Sequence, residues 1–177
     1  MTQQAEMTRT MEKSLQNAPN CLFCGTPLEH TLVDLGMSPL CESILSADKV
    51  NQMEAFYPLH VRVCSNCFLA QLEAYVSAED IFTEYAYFSS YSDTWLAQCK
   101  AYTEQVIQRF NLNEQSHVVE LASNDGYLLQ YFVEKNIPVL GIEPATNIAK
   151  VAVEKGVPTL NEFFGQDCAQ KLVQQGK

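Results

Sequence analysis

The second half of the chain alternates short apolar runs with amphipathic stretches. The apolar runs predict three β-strands, over residues 117–121, 139–143 and 157–160. The stretches between and after them predict helices over residues 126–135, 146–155 and about 166–174. Strands separated by helices are typical of a parallel, doubly wound sheet. The pattern predicts an α/β, Rossmann-like fold, and such sheets ordinarily hold about five strands or more.

A longer amphipathic helix is predicted just before this region, over residues 93–110. Its apolar positions recur at steps of three or four residues and therefore share one face: Leu96, Cys99, Tyr102, Val106 and Phe110. We expect that face to pack on the sheet.

The first half of the chain follows a different pattern. From Cys21 to about Glu73, short runs are broken by glycine and proline, and Leu59, Val61 and Val63 alternate with polar residues. This pattern predicts a small β-rich module. We divide the chain into a mobile N-terminal arm (1–19), the β-rich module (20–76), a connecting helical and aromatic segment (77–112) and the sheet domain (113–177).

The charge balance narrows the choice of partners. The chain carries 11 basic and 21 acidic residues, a net charge of -10, which repels nucleic-acid phosphates and anionic lipids. No apolar stretch approaches the roughly 20 residues of a membrane span, and the N-terminus lacks the apolar core of a signal peptide. We expect a cytoplasmic protein with neither nucleic acid nor membrane as partner.

The cysteines favour a metal site, because cytoplasmic thiols stay reduced. Cys21 and Cys24 form one C-x2-C pair, and Cys64 and Cys67 form a second. Four thiolates complete a closed tetrahedral zinc site, whose role would be structural. Metal-free buried thiols and a redox dithiol remain alternatives, and His60 could replace one thiolate. No such spacing joins the other three cysteines, Cys41, Cys99 and Cys168.

A candidate cofactor loop lies where the first predicted strand of the sheet ends and a helix begins. Its candidate binding residues are Glu120, Ala122, Ser123, Asn124, Asp125 and Gly126. Backbone amides and a helix N-terminus meet nucleotide-type ligands at such a junction. Glu143, at the end of the next strand, could hold the two hydroxyls of a ribose. The alternative is that Glu120 and Glu143 are merely strand-end carboxylates.

The same loop lacks the glycines of a nicotinamide dinucleotide site. The G-x-G-x-x-G pattern that contacts a pyrophosphate would place glycine at positions occupied by Ala122, Asn124 and Tyr127. A cofactor without a pyrophosphate is therefore favoured.

Several stretches together resemble the sugar C-methyltransferase family, whose members carry a cysteine-rich zinc domain, a methyltransferase domain and a C-terminal domain. The matching stretches occur in the family's order and cover most of residues 21–165: CLFCG, VDLGMSPLCESIL, YPLHVRVCSNCFLAQLE, IFTEYAYFSSYSDTW, VVELASNDGYLLQYF and GIEPATNIAKVAVEKGVPTLNEFFG. The resemblance implies that residues 113–177 are the N-terminal part of a class I domain that binds S-adenosylmethionine.

The resemblance also implies a reaction. A methyl group passes from S-adenosylmethionine to a carbon of a nucleotide-linked keto-deoxysugar, after a general base removes the proton beside the keto group. Tyr85 and Tyr87 lie in the family's aromatic stretch and are candidates to line the sugar pocket, or else to pack between modules.

The chain is expected to stop before the sheet is complete and before the region in which the family's base lies. The catalytic base is therefore unknown, and activity of this chain alone is doubtful. The open sheet edge is a candidate site for self-association or a partner chain. Two alternative functions remain: a non-catalytic zinc-containing binding module that needs a partner chain, and a nicotinamide-dependent oxidoreductase.

Overall fold

A computed structural model describes residues 19–176, and the chain divides into two compact units between Ser77 and Ala78. The predicted N-terminal arm, residues 1–19, lies outside the described residues except for Pro19. Within the described range, no helix is long and apolar enough to cross a membrane.

The first unit contains an antiparallel sheet of three strands in the order β1-β2-β3. These strands are β1 (His30–Ser38), β2 (Tyr57–Val63) and β3 (Ala70–Gln71). β2 is half-buried along its whole length, and the buried cluster of the unit consists of Cys21, Leu28 and Cys64. The predicted β-rich module is confirmed. Such a small cluster buries too little apolar surface to stabilise the unit by itself, so a metal ion or another cross-link is needed.

The second unit contains a parallel sheet of three strands in the order β4-β5-β6. The strands are β4 (Val118–Leu121), β5 (Val139–Ile142) and β6 (Thr159–Leu160). The helices are α1 (Ala78–Phe82), a 3-10 turn (Ser89–Tyr91), α2 (Asp93–Phe110), α3 (Leu129–Val133), α4 (Thr146–Glu154) and α5 (Gln166–Gln174). The predicted α/β class is confirmed.

Buried side chains cover both faces of this parallel sheet. Val139 on β5 packs with Leu129 and Phe132 of α3 in one cluster, whereas Leu140 and Ile142 pack with Leu172 of α5 in another. β5 is fully buried because it is the central strand, with a neighbour on either side. The arrangement leaves the carboxyl ends of β4 and β5 as the edge where a ligand site would lie.

The long helix α2 has the predicted bounds, and its buried stripe matches the predicted face at Leu96, Cys99 and Val106 but not at two other positions. Cys99 and Thr103 are its buried residues, whereas Tyr102 and Phe110 are 51% and 61% exposed. Tyr102 lies on the flank of the buried stripe, and Phe110 ends the helix, where its ring lies 5.4 Å from the guanidinium of Arg109. Apolar periodicity located the helix correctly but placed the edge of its buried stripe wrongly.

Two predicted elements of the sheet domain are shorter than expected. The helix predicted over residues 126–135 is limited to Leu129–Val133, because Gly126 has a φ of 77° and lies in the turn that precedes it. The strand predicted over residues 157–160 pairs at Thr159–Leu160, and Val157 is buried instead in the core before the strand begins.

Candidate cofactor site and metal centre

The four cysteines of the two C-x2-C pairs lie together in the first unit. The Sγ atoms of Cys21 and Cys67 are 3.6 Å apart, and those of Cys24 and Cys64 are 3.5 Å apart. All four sulfurs lie within 4.8 Å of one another. Tetrahedral zinc with Zn–S bonds of about 2.3 Å needs sulfurs about 3.8 Å apart. The arrangement therefore fits a zinc ion bound by four thiolates.

The two cysteine turns, which we call knuckles, share one backbone pattern. The carbonyl of Cys21 accepts from the amide of Gly25 at 2.9 Å, and the carbonyl of Cys64 accepts from the amide of Phe68 at 3.0 Å. Gly25 and Phe68 both have left-handed backbones, with φ of 72° and 62°. The second knuckle thus holds a phenylalanine, 76% exposed, where the first has glycine.

Polar groups around the sulfurs shift the pKa values of the cysteine thiols. The Gln71 amide is the main cause that lowers the pKa of Cys21, and the Thr26 hydroxyl, 3.3 Å from Cys24 Sγ, lowers the pKa of Cys24 to about 5. Although the Leu69 amide opposes it, burial beside the neighbouring thiols raises the pKa of Cys67 to about 12. Four clustered thiols cannot all ionise without a cation, and a bound zinc ion would deprotonate them together.

The candidate cofactor loop follows β4 and has an unusual backbone. Ala122, Asn124 and Gly126 all have positive φ, at 55°, 49° and 77°. Left-handed residues that alternate with ordinary ones turn successive amide groups toward a common point, and strained non-glycine residues concentrate at ligand sites. The loop lies at the carboxyl end of a parallel strand, where nucleotide-type ligands bind in open α/β sheets.

Glu143 fastens this loop to the next strand. Its Oε2 atom accepts from the amide of Asn124, and its Oε1 atom accepts from the amide of Ala145, both at 2.9 Å. The residue is only 5% exposed. Each carboxylate oxygen keeps a further acceptor site, so Glu143 can support the loop and still accept hydrogen bonds from a ligand.

Glu120 is the second carboxylate at this edge. Its Oε2 atom is buried and has no hydrogen-bond partner among residues 19–176. Burial, opposed by a hydrogen bond from Tyr127 and aided by the charge of Glu143, raises the pKa of Glu120 to about 7. Burial likewise raises the pKa of Tyr127 to about 12. A buried, unpaired carboxylate oxygen marks a place where a donor is missing.

The side chains of three other predicted loop residues serve the fold. Ser123 is fully buried, and a Cβ atom added at Gly141 would come within 2.9 Å of the Ser123 Cβ atom. Asp125, 1% exposed, lies 2.8 Å from the Nζ atom of Lys155. A Cβ atom added at Gly126 would lie 2.9 Å from Val157 Cγ2, so packing alone requires glycine there. The Ser123 hydroxyl and the Asp125 Oδ1 atom nevertheless have no hydrogen-bond partner among residues 19–176, so the fold does not satisfy all of their polar atoms.

The aromatic segment that carries Tyr85 and Tyr87 is tied to the loop. The Asn124 side chain donates to the carbonyl of Tyr87 at 3.1 Å and accepts from the amide of Ser89 at 2.9 Å. The Asn147 side chain donates to the carbonyl of Tyr85 at 2.7 Å and accepts from its amide at 3.1 Å. The structure therefore brings the predicted sugar-binding segment beside the predicted cofactor loop.

Two similarities to known proteins agree with this geometry. Residues 21–82 match a family model described as "Putative zinc binding domain". The chain is also 27% identical over 162 residues to the C-methyltransferase NovU of Streptomyces niveus. The chain is therefore similar to a C-methyltransferase over most of its own length. The similarity covers 92% of this chain but 39% of that relative, so the chain spans well under half of the relative's length.

The predicted resemblance is thereby confirmed. The matched region contains the four clustered cysteines, so the family model and the geometry both support a zinc site in the first unit. The similarity to the C-methyltransferase extends over the second unit, which contains the loop and its two carboxylates. The roles assigned to individual loop and tyrosine residues stay predictions.

A pocket that the sequence did not indicate adjoins the loop through Tyr127. It has a volume of about 300 Å³ and is lined by Trp95, Gln98, Cys99, Tyr102, Tyr127 and Leu128. The rings of Trp95 and Tyr127 lie 6.0 Å apart at an angle of 30°. The volume reaches the lower end of the range for small-molecule sites. The position of Tyr127, directly after Gly126 of the loop, is the sequence feature that could have indicated this pocket.

A broader groove of about 800 Å³ lies elsewhere in the second unit, among Glu104, Gln108, Leu112 and Lys135. Leu112 and the residues after it lead into β4, so this groove lies toward the amino ends of the strands. Ligands of parallel sheets bind at the opposite, carboxyl ends. We assign the candidate site to the loop and the smaller pocket on this ground.

Proposed function

We propose that this chain provides the zinc domain and the cofactor-binding part of an S-adenosylmethionine-dependent methyltransferase that acts on a carbon of a nucleotide-linked keto-deoxysugar. The observation that carries the proposal is the pair of carboxylates at the carboxyl ends of β4 and β5, next to a strained loop, in a chain similar to a C-methyltransferase.

The chemistry of this site suits the cofactor. S-adenosylmethionine carries an ammonium group, a ribose diol and no pyrophosphate. The unpaired Oε2 atom of Glu120 would accept from the ammonium, and the remaining acceptor sites of Glu143 would accept from the ribose hydroxyls. The backbone amides of residues 122–126 would face the cofactor. When bound, the cofactor supplies an electrophilic methyl group.

Tyr85 and Tyr87 are proposed to line the sugar pocket. Asn124 and Asn147 hold the backbone of their segment, so the hydroxyl-bearing side chains start from fixed positions beside the loop. Such anchoring lowers the entropy lost when substrate is oriented against the methyl donor. The keto group of the substrate acidifies the neighbouring C–H bond, and a base must reach that proton within about 3 Å or through one water.

None of the three histidines of the chain is assigned as that base. His30 and His60 lie in the zinc domain, where His60 Nε2 is 2.8 Å from the Thr31 hydroxyl. His117 is exposed and directly precedes β4, at the amino end of the strand and away from the loop. The base stays unassigned.

The outer edge of β4 is proposed as a place for further pairing. Within the described residues, β4 pairs with β5 alone, and Val119 and Leu121 are 40% and 48% exposed. An unpaired strand edge with exposed apolar side chains favours pairing with another strand. A second copy or a partner chain could supply that strand.

The cytoplasmic location of the protein stays a prediction.

Calorimetric titration of the zinc-loaded chain with S-adenosylhomocysteine and, separately, with NAD⁺ tests the proposal. We expect binding of S-adenosylhomocysteine and none of NAD⁺. Binding of NAD⁺ alone would favour the oxidoreductase, and binding of neither would favour a non-catalytic module. The matched variants are Glu120→Gln, expected to weaken binding, and Glu162→Gln, whose side chain is 41% exposed and which is expected to leave binding unchanged.

A further inference from the structure

Gln71 ends β3 and lies between the two knuckles of the zinc domain. It is 8% exposed, and its backbone pairs with Arg62 of β2. Its side-chain amide offers both a hydrogen-bond donor and a hydrogen-bond acceptor at this position. Nothing in the sequence singles it out, since the sulfur that it contacts belongs to Cys21, 50 residues earlier in the chain.

The Gln71 side chain makes three hydrogen bonds. Its Nε2 atom donates to the Sγ atom of Cys21 at 3.2 Å and to the carbonyl of Leu69 at 3.4 Å. Its Oε1 atom accepts from the amide of Leu22 at 2.8 Å. One planar amide therefore connects the first knuckle with the residues that follow the second.

The other knuckle uses local donors for the same purpose. The amides of Asn66 and Cys67 lie 3.4 and 3.5 Å from Cys64 Sγ. Hydrogen bonds to metal-bound ligands orient them and tune their basicity, and their loss typically weakens metal binding by about 10 to 100-fold. A thiolate that loses a donor also becomes more exposed to electrophiles, because less of its charge is compensated.

We propose that Gln71 is a positioning residue of the zinc centre, which holds the Cys21 thiolate by its amide N–H and locks the two knuckles together. The inference rests on zinc binding by the four cysteines and does not depend on methyl transfer. Only glutamine satisfies both ends of this bridge: glutamate offers no donor to the sulfur, methionine offers neither group, and asparagine is shorter by one methylene.

The test uses the zinc-loaded full chain and the variants Gln71→Met and Gln71→Glu. Gln52→Met is the control, because Gln52 is exposed in the same unit and its side-chain amide donates only to the Asp48 carbonyl among the hydrogen bonds described. Two quantities are measured: the rate of zinc transfer to a colorimetric chelator, and the alkylation of each cysteine by iodoacetamide, followed by mass spectrometry.

We expect both Gln71 variants to release zinc about 10 to 100-fold faster than the parent. Alkylation should rise at Cys21 before it rises at Cys64, and the cobalt-substituted variants should show a shifted thiolate charge-transfer band. A merely structural role would raise alkylation at all four cysteines equally. Equal labelling, or zinc release at the parent rate in both variants, would overturn the proposal.

Where Gln71→Met fails to hold zinc, Gln71→Glu decides the matter, since it preserves the shape of the side chain and the acceptor for Leu22. A cobalt spectrum identical to that of the parent in Gln71→Glu would contradict a role for the N–H···S bond. A shifted band with the cobalt still bound would support it.

Discussion

Replacing Glu120 by glutamine should stabilise the second unit while weakening cofactor binding. The carboxyl oxygen Oε2 is buried without a partner in the described part of the chain, and burial raises the pKa of Glu120 from 4.5 to about 7. The folded state therefore binds this proton more tightly than the unfolded state does. The resulting stability is fully present below about pH 4.5 and is lost as the pH rises through about 7.

The size of the effect follows from the difference between the two pKa values. One pKa unit corresponds to about 1.4 kcal/mol, so the shift corresponds to roughly 3 kcal/mol, and the partial exposure of Glu120 reduces this to about 2 kcal/mol. Glutamine keeps the shape and carries no charge. The free energy of unfolding of Glu120→Gln should thus exceed that of the parent by about 2 kcal/mol at pH 8 and match it near pH 4.5.

The assay is urea unfolding followed by the fluorescence of Trp95, the single tryptophan, which lies beside Tyr127 in the second unit. Glu114→Gln, at an exposed position, is the control and should change the free energy of unfolding by less than about 0.5 kcal/mol. A Glu120→Gln variant that is less stable than the parent at pH 8 would refute the reasoning, because it would show a carboxylate that is favourably paired. Stronger binding of S-adenosylhomocysteine by the variant would refute the ligand role.

Three further outcomes are expected. The purified chain should contain about one zinc ion per molecule by metal analysis, and Cys64→Ser should lose it while Cys168→Ser retains it. Phe68→Gly should raise the free energy of unfolding by up to about 1 kcal/mol, measured by circular dichroism, because it relieves a left-handed backbone at an exposed side chain. Lys155→Met should lower the free energy of unfolding by on the order of 3 kcal/mol, because it leaves the buried carboxylate of Asp125 without its ion-pair partner. An unchanged urea midpoint would contradict this.

The parts of the fold that depend on local spacing could be predicted from the sequence. Each C-x2-C pair closes within one turn, so its two thiolates must lie together whatever the rest of the chain does. The bounds of α2 and the alternation of strands and helices likewise follow from short-range periodicity. Joining the two pairs into one cluster needed only the chemical preference of zinc for four thiolates.

The parts that depend on long-range contacts could not be predicted. Gln71 reaches Cys21 across 50 residues, and Asn147 reaches Tyr85 across 62, and neither pattern leaves a trace in the sequence. The shortening of the helix after the cofactor loop depends on the left-handed Gly126 packed against Val157. That contact exists only once β6 has been placed beside β5.

Glu143 shows a further limit of sequence reasoning. Its position at the end of β5 suggested a residue reserved for ribose, yet the structure engages both of its oxygens with backbone amides. Replacing it by alanine would free two buried amides at about 1 to 3 kcal/mol each and distort the loop. A loss of cofactor binding in that variant would therefore not separate a ligand role from a structural one.

Hydrogen exchange with and without S-adenosylhomocysteine tests the central claim most directly, because it locates the ligand in the unmutated, zinc-loaded chain. The account predicts slower exchange in residues 120–126 and 143–147, which contain the loop, Glu143 and the Asn147 anchor. Exchange in the groove near Leu112 and Lys135 should not change. Protection confined to that groove, or no protection at saturating ligand, would contradict the assignment of the cofactor site to the loop.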